Sequence, residues 1–236
     1  MMVQLMGILN LTPDSFIESS RVMPEDVPAR IRSMQDAGAS IIDLGAVSTR
    51  PGAAAVSLEE EWLRLEPALR AVAAMPSRPQ ISIDTTRAEI VRRAFSVLGE
   101  FIVNDISSGE DDPEMLGVAG TLRLPFIAMH KRGTPVTMDS LCEYPDGVIH
   151  ALTSYFKEFE RRASAAGISD WILDPGLGFA KTAEQCWEIL YGLEKLAALG
   201  HPILIGASDK RFTGGNTALA HAIAILHGVS ILRLHI

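Results

Sequence analysis

The sequence contains very little cysteine. Of its 236 residues only Cys142 and Cys186 are cysteines, and they lie far apart in unrelated contexts. That spacing excludes a disulfide framework and a CxxC metal site, and the scarcity is typical of proteins in a reducing cytosol. We therefore expect a cytoplasmic protein.

Long apolar runs and runs of basic residues are also absent. No apolar stretch approaches the ~20 residues that cross a bilayer, and the apolar start lacks the basic residues of a signal peptide, so we interpret it as a strand. The net charge is −8, and no stripe of lysine and arginine could follow a phosphate backbone. We expect neither a membrane nor a nucleic acid as a partner. With 47% hydrophobic residues, the composition is that of a globular protein.

Short apolar runs are the strongest regularity of the sequence. They are rich in aliphatic and β-branched residues and lack clean alternation, which is typical of strands covered on both faces. The eight runs are residues 4–9, 40–45, 80–84, 101–105, 125–130, 171–175, 202–208 and 230–235.

Stretches with helical spacing of apolar residues separate these runs. Ser57 and Glu60 form a capping-box pattern at the start of one of them, and Thr182 is a candidate N-cap for another. The predicted helices are residues 25–37, 57–75, 87–98, 111–120, 148–163, 182–199 and 216–227.

Alternating strands and helices predict an α/β protein. Eight strands over residues 1–236 favour a single-domain (β/α)8 TIM barrel, and an open doubly wound sheet is the competing arrangement. No Gly-x-Gly-x-x-Gly fingerprint follows the first strand, which also favours the barrel. The sequence reaches Ile236 just past the eighth strand, so we expect either a barrel without its last helix or further residues beyond those given.

Polar residues stand at the carboxyl ends of all eight predicted strands. In a barrel these ends converge on one face, which carries the site. Helix capping explains a single such residue, but desolvating all of them would cost several kcal/mol unless they bind one another or a ligand. The polar residues at these ends are Asn10, Ser48, Thr49, Arg50, Asp84, Asn104, Asp105, His130, Asp174, Ser208, Asp209, Lys210, Arg233 and His235, and the apolar Met129 precedes His130.

Such a pocket carries charges of both signs. It suits a heterocycle with donor and acceptor edges and an anionic tail, and the hydroxyls and arginine in GAVSTRPG, residues 45–52, suggest where an anion docks. Neither HExxH nor another His/Cys/Asp cluster occurs at metal-binding spacing.

Eight motifs in register carry a family resemblance. ILNLTPDSF, DLGAVSTRPG, ISIDTT, VNDIS, MHKRGTP, ILDPGLGFAK, IGASDKRF and ILRLH follow one another between residues 6 and 235. Together they resemble dihydropteroate synthase, a TIM barrel. The resemblance implies the condensation of 6-hydroxymethyl-7,8-dihydropterin pyrophosphate with p-aminobenzoate to 7,8-dihydropteroate, with release of pyrophosphate.

The resemblance also implies residue roles. Asp174 would accept from the 2-amino and N3–H edge of the pterin, Asp84 and Asn104 would bind the opposite edge, and Lys210 would donate to the ring oxygen and N5 side. Met129 would complete the pterin site. The implied catalytic residues are Asp84, Lys210, Arg50 and Asp174.

The pyrophosphate would be held at the rim of the barrel. By resemblance, Asn10 helps to hold Mg²⁺ against it, and Arg50, Arg233 and His235 form the remaining anion clamp. Departure of pyrophosphate would leave a pterin methylene cation that Asp84 and Asp174 stabilise, so no protein nucleophile is required.

The second substrate would be enclosed by loops. The family likeness places p-aminobenzoate among Thr49, Pro51, Phe179, Lys210 and Arg211, with residues 12–16 closing over it, and sulfonamides would compete with it. Family members pair through late helices, which implies a homodimer.

Two positions depart from the family pattern and keep other functions open. Val47 stands where a polar residue is usual, and Asp209 stands where an arginine is usual; we interpret Asp209 as a surface group. A pterin-binding corrinoid methyltransferase would share Asp84, Asn104 and Asp174 but would not need STRPG or Lys210. A non-catalytic pterin-binding homologue is the third hypothesis.

Overall fold

The computed structural model describes residues 2–11, 24–47, 56–134, 136–208 and 210–236. Its strands are β1 Gln4–Asn10, β2 Ala39–Gly45, β3 Gln80–Asp84, β4 Ile102–Asp105, β5 Phe126–Met129, β6 Trp171–Asp174, β7 Leu204–Ile205 and β8 Ile231–Leu234. Its helices are α1 Val27–Asp36, α2 Leu58–Ala73, α3 Ala88–Leu98, α4 Met115–Thr121, α5 Val148–Ala166, α6 Ala183–Tyr191, α7 Leu193–Ala197 and α8 Thr217–Leu226.

The eight strands are parallel neighbours in a ring. The order is β6-β5-β4-β3-β2-β1-β8-β7, and a parallel bridge between Leu173 and Ile203 joins the two ends. The Leu173 amide donates to the Pro202 carbonyl at 2.9 Å across this join. The predicted TIM barrel is therefore confirmed, and the open-sheet alternative is wrong.

Side chains fill the barrel in layers. Because alternate residues of a strand point the same way, each strand sends one residue in two to the interior. The lower layer is apolar and buried: Met6, Ile41, Ile102, Ile127, Ile172, Leu204 and Ile231. The residues that point outward pack instead against the surrounding helices, with Phe126, Phe156 and Phe159 among the largest fully buried side chains.

Helix caps follow the sequence closely. Thr182 and Gln185 form a complete capping box at the start of α6. Ser57 Oγ accepts from the Glu60 amide at 3.2 Å, whereas the Glu60 carboxylate pairs with Arg64 one turn later. The capping prediction is thus confirmed at Thr182 and half fulfilled at Ser57, because Arg64 competes for the glutamate.

Two elements differ from prediction. The helix expected over residues 182–199 is broken at Gly192 into α6 and α7. At that position a Cβ would lie 3.0 Å from Ile149 Cδ1, so close packing against α5 favours glycine there. The seventh strand is only Leu204–Ile205, and within the described residues no helix follows β8. None of the described helices combines the length and apolarity that spanning a bilayer requires.

Candidate active site

The upper layer of the barrel interior is polar. Two residues beyond Ile41, Ile102, Ile127, Ile172 and Ile231 of the lower layer, the same alternation turns the next side chain inward at the strand's carboxyl end. These side chains are Asp43, Asn104, Met129, Asp174 and Arg233, and Asp84 lies in the same way two residues beyond the buried Ser82 of β3. Strand geometry therefore gathers side chains from positions 43 to 233 at one mouth, as the strand-end pattern predicted.

An arginine pairs with two aspartates at the centre of this layer. Arg233 Nη2 lies 2.6 Å from Asp43 Oδ2 and 3.1 Å from Asp84 Oδ2, and Arg233 Nε donates to Asp43 at 2.7 Å. Asn104 Nδ2 lies 3.2 and 3.1 Å from the two Asp43 oxygens. Asp43 is fully buried. One cation and one amide thus hold two carboxylates side by side.

This cluster shifts the protonation of its members. Burial and the neighbouring Asp43 carboxylate raise the pKa of Asp84 to about 7, although Arg233 opposes the shift. Burial lowers the pKa of Arg233, but the two aspartates outweigh it and raise the pKa overall. The arginine therefore stays charged, while Asp84 can exchange a proton near neutral pH.

Asp174 and Lys210 carry opposite charges at the mouth and influence each other electrostatically. The Gly176 amide donates to Asp174 Oδ1 at 2.8 Å and fixes the carboxylate directly after β6. Burial raises the pKa of Asp174, and this amide and Lys210 oppose it. Burial also lowers the pKa of Lys210, whereas Asp174 raises it. The two groups therefore stabilise each other's charged forms.

The predicted wall of the second pocket lies beside Lys210. Its Nζ stands 4.5 Å from the centre of the Phe179 ring, which is half-buried. Arg211 begins the 3-10 turn Arg211–Thr213 and is exposed, with its guanidinium 3.7 Å from Asp139. An aromatic face, an ammonium and a nearby guanidinium are therefore available to a planar aromatic acid.

Of the residues expected to bind the anion, Asn10 and His235 lie at the rim, whereas Arg233 pairs with Asp43 and Asp84 in the central cluster. Asn10 is exposed at the end of β1, in register with Gly45, and His235 is exposed just beyond β8. Within the described residues no cluster of three or more His, Cys, Asp or Glu could hold a metal ion. Thr49, Arg50 and Pro51, like residues 12–16 and Asp209, lie outside the described residues.

Comparison with known proteins decides the family. The model of a family described as pterin binding enzyme matches residues 6–235. A dihydropteroate synthase from Synechocystis sp. is 42% identical over 98% of this chain and 84% of its own length. The chain belongs to the dihydropteroate synthase family.

Solved members of the dihydropteroate synthase family share its shape. The Yersinia pestis enzyme, solved with a sulfonamide drug, has a TM-score of 0.91 at 33% identity, over 99% of this chain and 89% of its own. The Thermus thermophilus enzyme, solved with 4-aminobenzoate, has a TM-score of 0.83 at 36% identity, over 99% and 88%. The family and barrel inferred from the motifs are both confirmed.

Sequence reasoning missed two parts of this dihydropteroate synthase site. Asp43, which binds Arg233 and Asn104, was passed over because it stands inside an apolar run. The available signal was its position two residues after inward-facing Ile41. The buried contact between Lys181 and His130 was also missed, since their separation of 51 positions hides it.

Proposed function

We propose that this chain condenses 6-hydroxymethyl-7,8-dihydropterin pyrophosphate with p-aminobenzoate to form 7,8-dihydropteroate. The observation that carries the proposal is the polar barrel mouth, where Asp84, Asn104 and Asp174 stand at the carboxyl ends of three strands and Lys210 stands in the segment that follows a fourth. Relatives that match nearly the whole chain are named dihydropteroate synthase.

Pterin binding follows from complementary donors and acceptors. A carboxylate only accepts and an ammonium only donates, so Asp174 and Lys210 together fix the polarity of a ring laid between them. Asn104 is already oriented by Asp43 and offers its amide oxygen to the opposite edge. Met129 is buried in the same layer and supplies an apolar wall.

The leaving pyrophosphate requires positive charge at the rim. Arg233 and His235 lie at β8, and Arg50 is the third member proposed for this clamp. Arginine suits the role because its planar fork binds phosphate oxygens bidentately.

Mg²⁺ fits the donor chemistry of the rim. Magnesium prefers oxygen ligands and commonly takes only one or two from protein, with the remainder from water and substrate phosphates. The exposed amide of Asn10 supplies such an oxygen, and the lack of an acidic cluster among the described residues agrees with a metal brought by the substrate. When bound, Mg²⁺ would neutralise charge on the departing pyrophosphate.

The chemistry is a substitution at the pterin methylene. The carbon–oxygen bond breaks, its electron pair leaves with pyrophosphate, and a delocalised cation remains. Asp84 and Asp174 stabilise that cation electrostatically in a water-poor site. The arylamine nitrogen then donates its lone pair to form the new carbon–nitrogen bond and loses a proton to solvent.

The second substrate completes the proposal. Phe179, Lys210 and Arg211 form the described part of its pocket, and Thr49 and Pro51 are its other proposed contacts.

We also propose that the enzyme acts in the cytoplasm as a homodimer. Analytical ultracentrifugation at micromolar concentration will test the dimer, which a single sedimenting monomer would contradict.

Product formation is the test of function. With Mg²⁺, the pterin pyrophosphate and p-aminobenzoate, we expect equal amounts of pyrophosphate and dihydropteroate, and loss of both on adding a chelator. A sulfonamide should raise the apparent KM for p-aminobenzoate without changing kcat. Pterin binding without release of pyrophosphate would instead support a binding-only homologue.

Replacing Asp174 by asparagine tests pterin recognition. The variant keeps the size of the side chain but presents a neutral amide to the donor edge of the ring, so pterin affinity should fall by about 1.5–3 kcal/mol, the value of a charge-assisted hydrogen bond. Calorimetric titration measures it, with exposed Asp170→Asn as the matched control. Equal affinities for the two variants would remove Asp174 from the site.

A further inference from the structure

A buried lysine behind the mouth has no part in the chemistry described above. Lys181 is 7% exposed and follows the β6 loop, which we define as residues 175–180. Burying an ammonium is unfavourable unless hydrogen bonds replace its water. The contacts of Lys181 therefore indicate what it stabilises.

The β6 loop turns its carbonyl oxygens towards this ammonium. Lys181 Nζ lies 2.9 Å from Phe179 O, 3.1 Å from Gly176 O and 3.3 Å from His130 O. It also lies 2.9 Å from His130 Nδ1. Burial and Lys181 itself lower the pKa of His130 to about 2, so the imidazole is neutral and Nδ1 can accept. Burial lowers the pKa of Lys181 itself to about 7, and its amine donates hydrogen bonds to the loop from within.

The first half of the loop has anchors that do not involve Lys181. The Gly176 amide binds Asp174 Oδ1 at 2.8 Å, and the His130 amide donates to Asp174 O at 3.0 Å. Gly176 has φ +67°, and a Cβ there would lie 2.2 Å from His130 O. These two backbone amides hold Asp174, the proposed pterin ligand, without a hydrogen bond from Lys181, whose charge acts on Asp174 only by lowering its pKa.

The second half of the loop has one backbone hydrogen bond, from the Phe179 amide to Gly176 O at 3.0 Å, and otherwise relies on side-chain donors. Ala180 has φ +51°, a left-handed conformation that is unfavourable for a non-glycine residue. Its carbonyl accepts from Tyr144 Oη at 2.9 Å, and the preceding carbonyl, that of Phe179, accepts from Lys181. Two side-chain donors thus hold adjacent carbonyls of a strained segment in place.

That segment faces the second substrate. The Phe179 ring lies 4.5 Å from Lys210 Nζ, and a Cβ on Gly178 would lie 3.7 Å from Lys210 Cδ. A displacement of residues 178–180 would therefore separate Phe179 from Lys210 and leave Asp174 in place.

We propose that Lys181 is a positioning residue for the arylamine substrate, acting by holding the carbonyls of the β6 loop so that Phe179 lies against Lys210. The proposal rests on the function proposed above, because it assigns the Phe179–Lys210 wall to p-aminobenzoate. It assigns two binding events in one barrel to different residues: Lys181 affects the binding of the second substrate, and Asp174 affects the binding of the pterin.

The test compares Lys181→Met with Lys195→Met, whose lysine is exposed on α7. Methionine keeps most of the side chain's length but donates no hydrogen bond. We expect Lys181→Met to raise the KM for p-aminobenzoate by about ten- to a hundredfold, as small displacements of binding groups do. The Kd of the pterin pyrophosphate should stay within about twofold, as for weakly coupled sites. Lys195→Met should match the wild type in both.

Amide hydrogen exchange supplies a measurement that needs no turnover. Residues 177–180 should exchange faster in Lys181→Met, while the strands keep their protection. Tyr144→Phe removes the other side-chain donor to the loop and keeps the ring. It should also raise the KM for p-aminobenzoate, and it tests the proposal if Lys181→Met does not fold. An unchanged KM in the folded variant, or equal losses for both substrates, would overturn the proposal. A wild-type protein without turnover would instead overturn the proposed function.

Discussion

Arg233→Met will lower the free energy of unfolding by about 3–5 kcal/mol, the range observed when one partner of a buried ion pair is removed. The arginine contacts both Asp43 and Asp84, at 2.6 and 3.1 Å. Methionine would fill part of the space but leave two neighbouring carboxylates without a cation. Because Asp43 is fully buried, water cannot replace the lost bonds. We expect a loss of this size and no measurable turnover.

Urea unfolding near neutral pH measures the change, and a surface pair is its control. Arg161 and Glu158 lie 2.7 Å apart, but their side chains are 71% and 54% exposed. Arg161→Met should therefore change stability by less than about 1 kcal/mol. The contrast tests whether burial, and not pairing alone, determines the effect.

A double variant identifies the source of the loss. Asp43→Asn removes one of the two stranded charges, so it should recover part of the stability of Arg233→Met, although it destabilises the wild type. Additive effects of the two substitutions would show that Arg233 and Asp43 do not act as a pair.

The same residues show what the sequence could and could not reveal. Asp84, Asn104 and Asp174 each end an apolar run, and parallel strands carry such ends to one face, so their meeting was predictable. Asp43 instead lies inside its apolar run, directly before Leu44, where it resembles a residue of a buried strand. Its partner Arg233 is 190 positions away, and only the closed barrel brings them together.

Local patterns were reliable where local forces decide the structure. The Thr182 cap and the span of α5 follow from residues close in sequence. The break at Gly192 lies where a Cβ would come within 3.0 Å of Ile149 Cδ1, and the buried Lys181 turns towards carbonyls of its own loop. Tertiary contacts of this kind leave little trace in a single sequence.

Asp84→Asn will reduce kcat by about a hundred- to a thousandfold, as the loss of one group that stabilises charge in the transition state does. The substitution keeps shape and can still accept from Arg233, but it removes the negative charge proposed to face the methylene cation. Since burial and Asp43 raise the pKa of Asp84 to about 7, wild-type kcat/KM should rise with pH and level off above about pH 7. The asparagine variant should lack this rise.

Protonation of Asp84 should increase the free energy of unfolding, although it decreases activity. The pKa of Asp84 is about 7 in the folded protein and 3.8 as its reference value, so between these values the unfolded chain binds fewer protons than the native state. The free energy of unfolding therefore falls as the pH rises from about 4 to about 7, by about 1.4 kcal/mol for each pH unit that separates the two pKa values. Above about pH 7 this contribution is constant. Asp84→Asn removes this fall.

Urea unfolding of both proteins between about pH 4 and pH 8 isolates this one group, because the other titrating groups are common to both and cancel in the difference. We expect asparagine to be the more stabilising side chain above about pH 7, where the wild type holds two carboxylates on one arginine. A difference that does not change with pH would mean that Asp84 is already ionised throughout. If Asp84→Asn loses turnover but gains stability, the enzyme keeps two mutually repelling carboxylates, Asp43 and Asp84, for its chemistry and not for its fold.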